Sequence, residues 1–337
     1  MSTGTTPYED LWEEDQVDAL RPLAVAAAEE FGLEVADVDL VLHAYNTTFC
    51  VDTTDGRRVA LRVGTNSKST PANVVAQQAW QRAITQDTDV HVPDPLQTPS
   101  GDWFVRVPSE VLGRDALVTG ASWLEGEDAR DGSSEWAHEL GRAMATLHRH
   151  AAAWSLPEGA ELPLFDTPLL GDEDLLTAAL ADIPGASEVL AEASTRSAAS
   201  FAALHADATP IALHADLHGG NLKWHDGRLS VFDFDDSGMG MPLLDLAIST
   251  FYVRRAGADG EPALRAGYAS VAPLPDGLDA HLEPLVAARQ LLLANSLLDS
   301  STAALRAQAQ DYLHVTVARL RHWLDTGRFV LDPPPSA

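Results

Sequence analysis

The sequence predicts an α+β chain of two lobes: a small antiparallel-sheet lobe over residues 1–123 and a larger, mainly helical lobe over 124–331. Three observations predict it. Short β-type segments separated by turn residues crowd the first third of the chain. From residue 124 onward, apolar residues recur at helical spacing instead. A single hairpin signal, His225-Asp226-Gly227-Arg228, interrupts that helical half. The length of 337 residues is ample for two such bodies.

Residues 8–31 read as a helix, with Leu11, Leu20, Leu23, Ala26 and Ala27 near helical spacing and Gly32 ending the run. Leu40–Tyr45 and Thr48–Thr53 read as β segments. Asp55-Gly56 marks a turn into a strand over Arg57–Val63, in which Val59, Leu61 and Val63 share one face. A two-residue turn there sets Phe49 opposite Arg62. A helix follows over Pro71–Thr85, then an extended connector at Val92-Pro93-Asp94-Pro95. Trp103–Val107 and Ala116–Trp123 complete five strands, and Leu124–Asp128 is the hinge. Beyond it, Trp136, Leu140, Met144 and Leu147 lie on one helical face. Further helices are expected over 175–180, 186–204, 242–252, 262–270, 278–298 and 302–323. The proline-rich tail Asp332–Ala337 cannot continue a helix.

The stretch His214-Ala215-Asp216-Leu217-His218-Gly219-Gly220-Asn221, followed by Phe232-Asp233-Phe234-Asp235-Asp236, carries the chemistry. Phosphoryl transfer needs one carboxylate to orient a hydroxyl and oxygen ligands to hold Mg²⁺ on the phosphates. Asp216 and Asn221 have the H-x-D-x-x-x-x-N spacing that such enzymes use, with His214 two residues earlier. A two-residue turn at Asp226-Gly227 pairs His225 with Arg228, sets Asn221 opposite Phe232, and brings Asn221 and Asp233 together at the open end of the hairpin.

With H-x-D-x-H-x-x-N-x-L, F-D-F-D-D and Asp245-Leu246-Ala247, the chain resembles the aminoglycoside phosphotransferase family and its relatives, the type II homoserine, choline and fructosamine kinases. Fainter agreement runs from about Val41 to Leu298. The resemblance implies a protein-kinase-like fold and transfer of the γ-phosphate of ATP or GTP to a small-molecule hydroxyl. It also implies Asp216 as catalytic base, Asn221 and Asp233 as Mg²⁺ ligands, His214 bracing the loop and His218 supporting it. Asp235 and Asp236, following the metal ligand, could face a substrate ammonium group. Asp245 is expected as a structural carboxylate or a helix cap.

In such enzymes a lysine on the third strand holds the phosphates and a glutamate on the next helix pairs with it. Here the matching residues are Arg62 and Gln77. Arginine keeps the charge and can fork onto phosphate oxygens, whereas glutamine can orient it only through a neutral amide. Asn46 and Thr47, in Tyr45-Asn46-Thr47-Thr48-Phe49, sit where relatives carry the loop that covers the phosphates. Ser122 to Leu124 are expected to offer backbone groups to a purine.

The net charge is −28, from 50 acidic and 22 basic residues. That repels nucleic acid and anionic membrane surfaces and can steer a cationic substrate inward. Cys50 is the only cysteine, so no internal disulfide forms. Met1–Gln16 lacks the basic and apolar regions of a secretory signal, and no apolar run reaches membrane-spanning length. A cytoplasmic enzyme is expected, most simply an antibiotic-inactivating kinase for aminoglycoside or amicoumacin-like acceptors. A metabolic kinase of homoserine or choline type stays open. So do a catalytically weak kinase-like binding protein and a metallohydrolase using His214, Asp216, His218 and Asp233 as Zn²⁺ or Fe ligands. The sequence sets neither acceptor nor oligomeric state.

Overall fold

The computed structural model describes residues 7–129, 134–206 and 208–334. Parts of the N-terminal stretch (residues 1–6) and of the tail (335–337) therefore lie outside the described residues. The first lobe comprises α1 (Glu13–Glu30), β1 (Val35–His43), β2 (Thr47–Thr53), β3 (Arg58–Val63), α2 (Pro71–Asp87), β4 (Val105–Val107) and β5 (Ala116–Ser122). Its strands form one antiparallel sheet in the order β1-β2-β3-β5-β4. The alternation seen in β3 buries Val59, Leu61 and Val63 with Phe49 and Val51 of β2 against Leu20, Ala24 and Ala27 of α1. Each large side chain so buried contributes about 1.5–3 kcal/mol. The first helix begins later than its periodicity predicts. Tyr8–Asp10 instead form a 3₁₀ turn, and Leu11 and Trp12 are extended.

One register differs from expectation. Thr48, not Phe49, faces Arg62. Gly56 donates its amide to the Thr53 carbonyl, Thr53 donates to the Arg57 carbonyl, and Gly56 has φ +84°. This is a three-residue loop with a left-handed glycine, not a two-residue turn. The shift by one puts Phe49 in the core and Thr48 on the opposite face, towards the cleft.

The second lobe holds β6 (Glu127–Asp128), α3 (Ser134–Ala151), α4 (Leu176–Ala179), α5 (Ala186–His205), β7 (Ile211–Leu213), β8 (Leu222–His225), β9 (Arg228–Val231), β10 (Gly238–Gly240), α6 (Pro242–Val253), α7 (Gly260–Ala269), α8 (Leu278–Asp299) and α9 (Ala303–Thr326). β6, β7 and β10 are two or three residues long, too short to show a period in the sequence. The β8–β9 hairpin has the expected pairing, His225 with Arg228 through Leu222 with Val231. Asp226 and Gly227 both have positive φ, as a type I′ turn requires. Gly141 on α3 and Gly267 on α7 let those helices touch backbone to backbone, since a Cβ at either would strike the other helix.

The lobes are joined beyond the hinge. Helix α2 starts with a capping box between Thr70 and Asn73. Its Trp80 is fully buried, packs edge-on against Phe234 (5.6 Å between centroids) and donates to His150 Nδ1 (3.2 Å). This ties α2 to the helical core beside the end of β9. Trp80→Ala is expected to cost about 3–5 kcal/mol in denaturant unfolding. On the other side, Asn66 donates to the Tyr45 carbonyl (2.7 Å) and to Thr302 Oγ1 (3.0 Å) and accepts from the Ser301 amide (2.7 Å). No helix among the described residues is long and apolar enough to cross a membrane.

Candidate active site

The loop after β7 is built around one buried carboxylate. Asp245, in the first turn of α6, accepts from the amides of His214 (3.2 Å) and Ala215 (2.7 Å) and from His148 Nε2 (3.0 Å). It caps no helix, because the N-cap of α6 is Met241. Ala215 has φ +62°, a strained value for a residue with a side chain, and Asp245 holds it there. His214 braces the same loop. Its Nε2 donates to the Phe232 carbonyl (3.0 Å), so its Nδ1 is the acceptor for the Asp216 amide (3.3 Å). Both nitrogens of this fully buried ring are thus committed, which leaves neither for a metal. Among the described residues no cluster of three or more His, Cys, Asp or Glu side chains could hold a metal, which counts against the metallohydrolase reading.

This scaffold presents Asp216. Asn221 Nδ2 donates to its Oδ2 (2.7 Å) and to its carbonyl (3.0 Å). His218 Nδ1 accepts from the Gly220 amide (2.9 Å), so its Nε2 carries the proton that faces Asp216 Oδ2 at 3.3 Å. The His218 ring stacks on Tyr252 with centroids 4.4 Å apart. Arg289 of α8 makes an ion pair with Asp216 Oδ1 and donates to the Tyr252 hydroxyl (2.8 Å). Burial opposes ionisation of Asp216. The Arg289 guanidinium and His218 outweigh it and hold the carboxyl well below the usual range. Asp216 is therefore a carboxylate at neutral pH.

A cavity of about 360 Å³ lies between the lobes, a volume within the range of small-ligand sites. Thr48, Ala60, Arg62, Thr119 and Ala121 line it from the sheet, and Asn221, Lys223, Phe232 and Asp233 from the second lobe. Trp123 and Leu124 close its hinge side. Ser122 also lines it, but its amide donates to the Asp94 carbonyl (2.8 Å) and its hydroxyl accepts from the Asp94 amide (2.8 Å). The expected purine contact through the Ser122 N–H is therefore already taken. Lys223 and Asp128 face each other across the cavity mouth at 2.7 Å.

Several expectations for the phosphate end are corrected. Asn46 is buried, and its Oδ1 accepts from the amides of Thr65 (2.9 Å) and Ser67 (3.2 Å), fixing its own loop. Thr47 is fully buried and bonded to His43 and Thr65, so in this loop it is Thr48 that lines the cavity. Among the described residues Gln77 makes no hydrogen bond to Arg62. Its Nε2 donates to the Asp235 carbonyl (2.6 Å) and to Ser69 Oγ (3.1 Å). Nor is Asp235 turned towards an acceptor. Its carboxylate pairs with Arg62 Nη2 and accepts from Asn46 Nδ2 (2.8 Å).

Asn221 and Asp233 meet on one wall, as the hairpin register requires, and the Phe232 amide donates to the Asn221 carbonyl (3.0 Å). Both Asp216 acceptors face the amide nitrogen of Asn221, so its Oδ1 points the other way. Asp233 Oδ1 is buried without a hydrogen bond, although Arg62 Nη1 stands 2.8 Å from it. A carboxylate oxygen met only by the Arg62 cation, on the same wall as an available amide oxygen, is a donor set that fits Mg²⁺. Asp236 is exposed, does not line the cavity itself, and has no hydrogen-bond or ion-pair partner among the described residues. Loss of solvation around it and the Asp216 and Asp233 carboxylates push its pKa up to about 7.

The sequence reading missed Arg289, Tyr252 and His148. Arg289 had one available signal: it stands alone as a charge in the otherwise apolar run Leu285-Val286-Ala287-Ala288 and Leu291-Leu292-Leu293. Charges at such positions are rarely buried unless paired.

Residues 41–281 match the sequence profile described as the Phosphotransferase enzyme family. No curated protein matches the chain significantly. Several solved structures share the fold. An amicoumacin kinase, in complex with AMP-PNP, Ca²⁺ and Ami, has a TM-score of 0.69 at 17% identity, covering 91% of this chain and 96% of that one. A microcompartment-associated aminopropanol kinase has a TM-score of 0.67 at 22% identity, covering 93% of this chain and all of that one. A spectinomycin phosphotransferase, in complex with ADP and spectinomycin, has a TM-score of 0.62 at 10% identity, covering 87% of this chain and 93% of that one. With a bilobal α+β fold of the protein-kinase-like kind and a profile match over most of its length, the chain belongs to the phosphotransferase enzyme family.

Proposed function

We propose that this chain is an O-phosphotransferase that moves the γ-phosphoryl group of ATP or GTP, with Mg²⁺, to a hydroxyl of a small amine-bearing molecule. The acceptor we favour is an aminoglycoside or amicoumacin-like antibiotic. The observation that carries the reading is that Asp216 is bonded to Asn221, and that Asn221 and Asp233 line the second-lobe wall of a cleft into which the first lobe brings Arg62.

In this reading the purine lies along the hinge by Trp123 and Leu124, and Arg62 meets the phosphates. Asn221 Oδ1 and Asp233 would hold Mg²⁺, which neutralises charge on the phosphates when bound. Asp216 accepts the acceptor hydroxyl's hydrogen bond. As the new O–Pγ bond forms, the bond to the β-phosphate oxygen breaks. The proton passes to Asp216 and the nucleoside diphosphate leaves. A carboxylate whose basicity Arg289 lowers suits a loose transition state, in which orienting the hydroxyl matters more than early proton removal.

The amine preference rests on Asp236, an exposed, unpartnered carboxylate close enough to Asp216 and Asp233 to feel their charge. Burial and the Asp236, Asp172 and Asp299 carboxylates all push the Tyr45 phenol up, so acidic groups gather around that ring. Asp236→Asn is expected to raise KM for an ammonium-bearing acceptor about tenfold or more, the worth of one charged hydrogen bond, while Kd for Mg-nucleotide stays within about twofold. Steady-state kinetics checks this, and equal losses on both ligands would contradict it. A metabolic amino-alcohol kinase is the second reading, favoured by the likeness to the aminopropanol kinase.

The test is mass spectrometry of pooled hydroxyl compounds after incubation with Mg-ATP or Mg-GTP. The pool holds aminoglycosides, amicoumacin, macrolides, homoserine, choline and aminopropanol. A phosphorylated amine-bearing antibiotic supports the favoured acceptor, and a phosphorylated amino alcohol the second reading. Phosphorylation confined to uncharged acceptors would overturn the role of Asp236.

A further inference from the structure

The phosphate anchor of this chain lacks its usual partner. Arg62 is the only cation that β3 offers to the cleft, and the facing residue on α2, Gln77, is neutral and spends its amide on backbone and Ser69. A guanidinium at the end of a strand has many rotamers, and nothing on α2 selects one.

Asp235 does. Arg62 Nη2 pairs with Asp235 Oδ2, and the two side chains are only 19% and 13% exposed. Asp235 is itself pinned from three sides. Asn46 Nδ2 donates to the same carboxylate oxygen (2.8 Å). Gln77 Nε2 donates to the Asp235 carbonyl (2.6 Å), and Ser69 Oγ does so at 3.4 Å. Both the carboxylate and the backbone of Asp235 are therefore fixed by the first lobe, although the residue belongs to the second. We propose that Asp235 is the positioning residue for Arg62, a carboxylate supplied by the metal-binding loop in place of an acid on α2. The inference rests on the nucleotide-dependent reading above.

The arrangement accounts for three residue types together. Arginine at 62 is needed because its fork keeps one nitrogen on Asp235 while the other, now 2.8 Å from Asp233 Oδ1, is available to phosphate oxygens. Glutamine at 77 is needed because its role is to donate to a carbonyl, which a glutamate could not do. Asparagine at 46 bridges both tasks, accepting from two loop amides and donating to Asp235. The anchor thus couples closure of the lobes to the metal-binding loop. Arg62 meets Asp235 only when both lobes are in place.

The test is an equilibrium titration with Mg-AMP-PNP, by calorimetry, over a double-substitution cycle. Asp235→Asn is expected to raise Kd about tenfold or more in the otherwise native chain. In an Arg62→Met background the same change is expected to move Kd less than about twofold, because the residue it positions is gone. Asp235→Glu keeps the charge and serves in the cycle if the asparagine variant melts early. An unchanged Kd in the native background overturns the proposal. So does an equal loss in both backgrounds, which would mean that Asp235 acts without Arg62. If the native chain itself fails to bind Mg-AMP-PNP, the nucleotide-dependent reading falls, and this inference with it.

Discussion

Asp216→Asn lowers kcat by about 10²–10⁴-fold while Kd for Mg-nucleotide stays within about threefold. The size is what a positioned proton acceptor contributes. Asparagine keeps the shape of the side chain; its one oxygen can accept from Arg289 or from Asn221 but not from both, and its backbone carbonyl still accepts from Asn221, which keeps the loop tied. It cannot take the hydroxyl proton. In the proposed reading the nucleotide would be held by Arg62, the hinge and the Mg²⁺ ligands, and Asp216, which does not line the cavity but is bonded to Asn221 that does, would lie beyond its phosphate end. Steady-state turnover and a nucleotide titration on the same preparation check both halves. A comparable loss of nucleotide affinity would make Asp216 a structural residue.

Asp245→Ala destabilises the fold by about 3–5 kcal/mol and abolishes most of the turnover. Its carboxylate is 99% buried and serves three donors, the His214 and Ala215 amides and His148. Each donor left unmade in the interior costs about 1–3 kcal/mol. Ala215 then has nothing to hold it at positive φ, and relaxation there moves the next residue, Asp216. Denaturant unfolding measures the first effect. Asp245→Asn should fall between, since one oxygen can still accept from Ala215 while the amide faces donors. A melting curve equal to that of the native chain would remove Asp245 from the account of the loop.

The two Asp-Gly hairpins show how far local sequence reaches. At Asp226-Gly227 both residues adopt positive φ and the expected pairing follows, so the meeting of Asn221 and Asp233 could be derived from spacing alone. At Asp55-Gly56 only the glycine turns left-handed, and one more residue enters the loop. The dipeptide does not say which loop length wins. The difference exchanges Phe49 for Thr48 on the cleft face. The paired aspartates of Phe232–Asp236 show the other boundary. Composition gives Asp235 and Asp236 equal standing, and the fold separates them. Asp235 turns to Arg62 and Asn46, and Asp236 is left exposed. Arg289 lies 73 residues from Asp216, on a helix whose register against the loop no local pattern encodes. The chemistry of the loop was legible because it is written in consecutive residues. Its charge balance was not, because half of it arrives from elsewhere in the chain.

The central claim is that Asp216 directs a γ-phosphoryl group onto an acceptor hydroxyl. The most direct measurement follows γ-labelled nucleotide with the native chain and with Asp216→Asn, in the presence of an acceptor found in the pool. The account predicts label covalently bound to the acceptor with the native chain, and at least about a hundredfold less with the variant, although both bind Mg-nucleotide equally. Label transferred at the same rate by both proteins would contradict it.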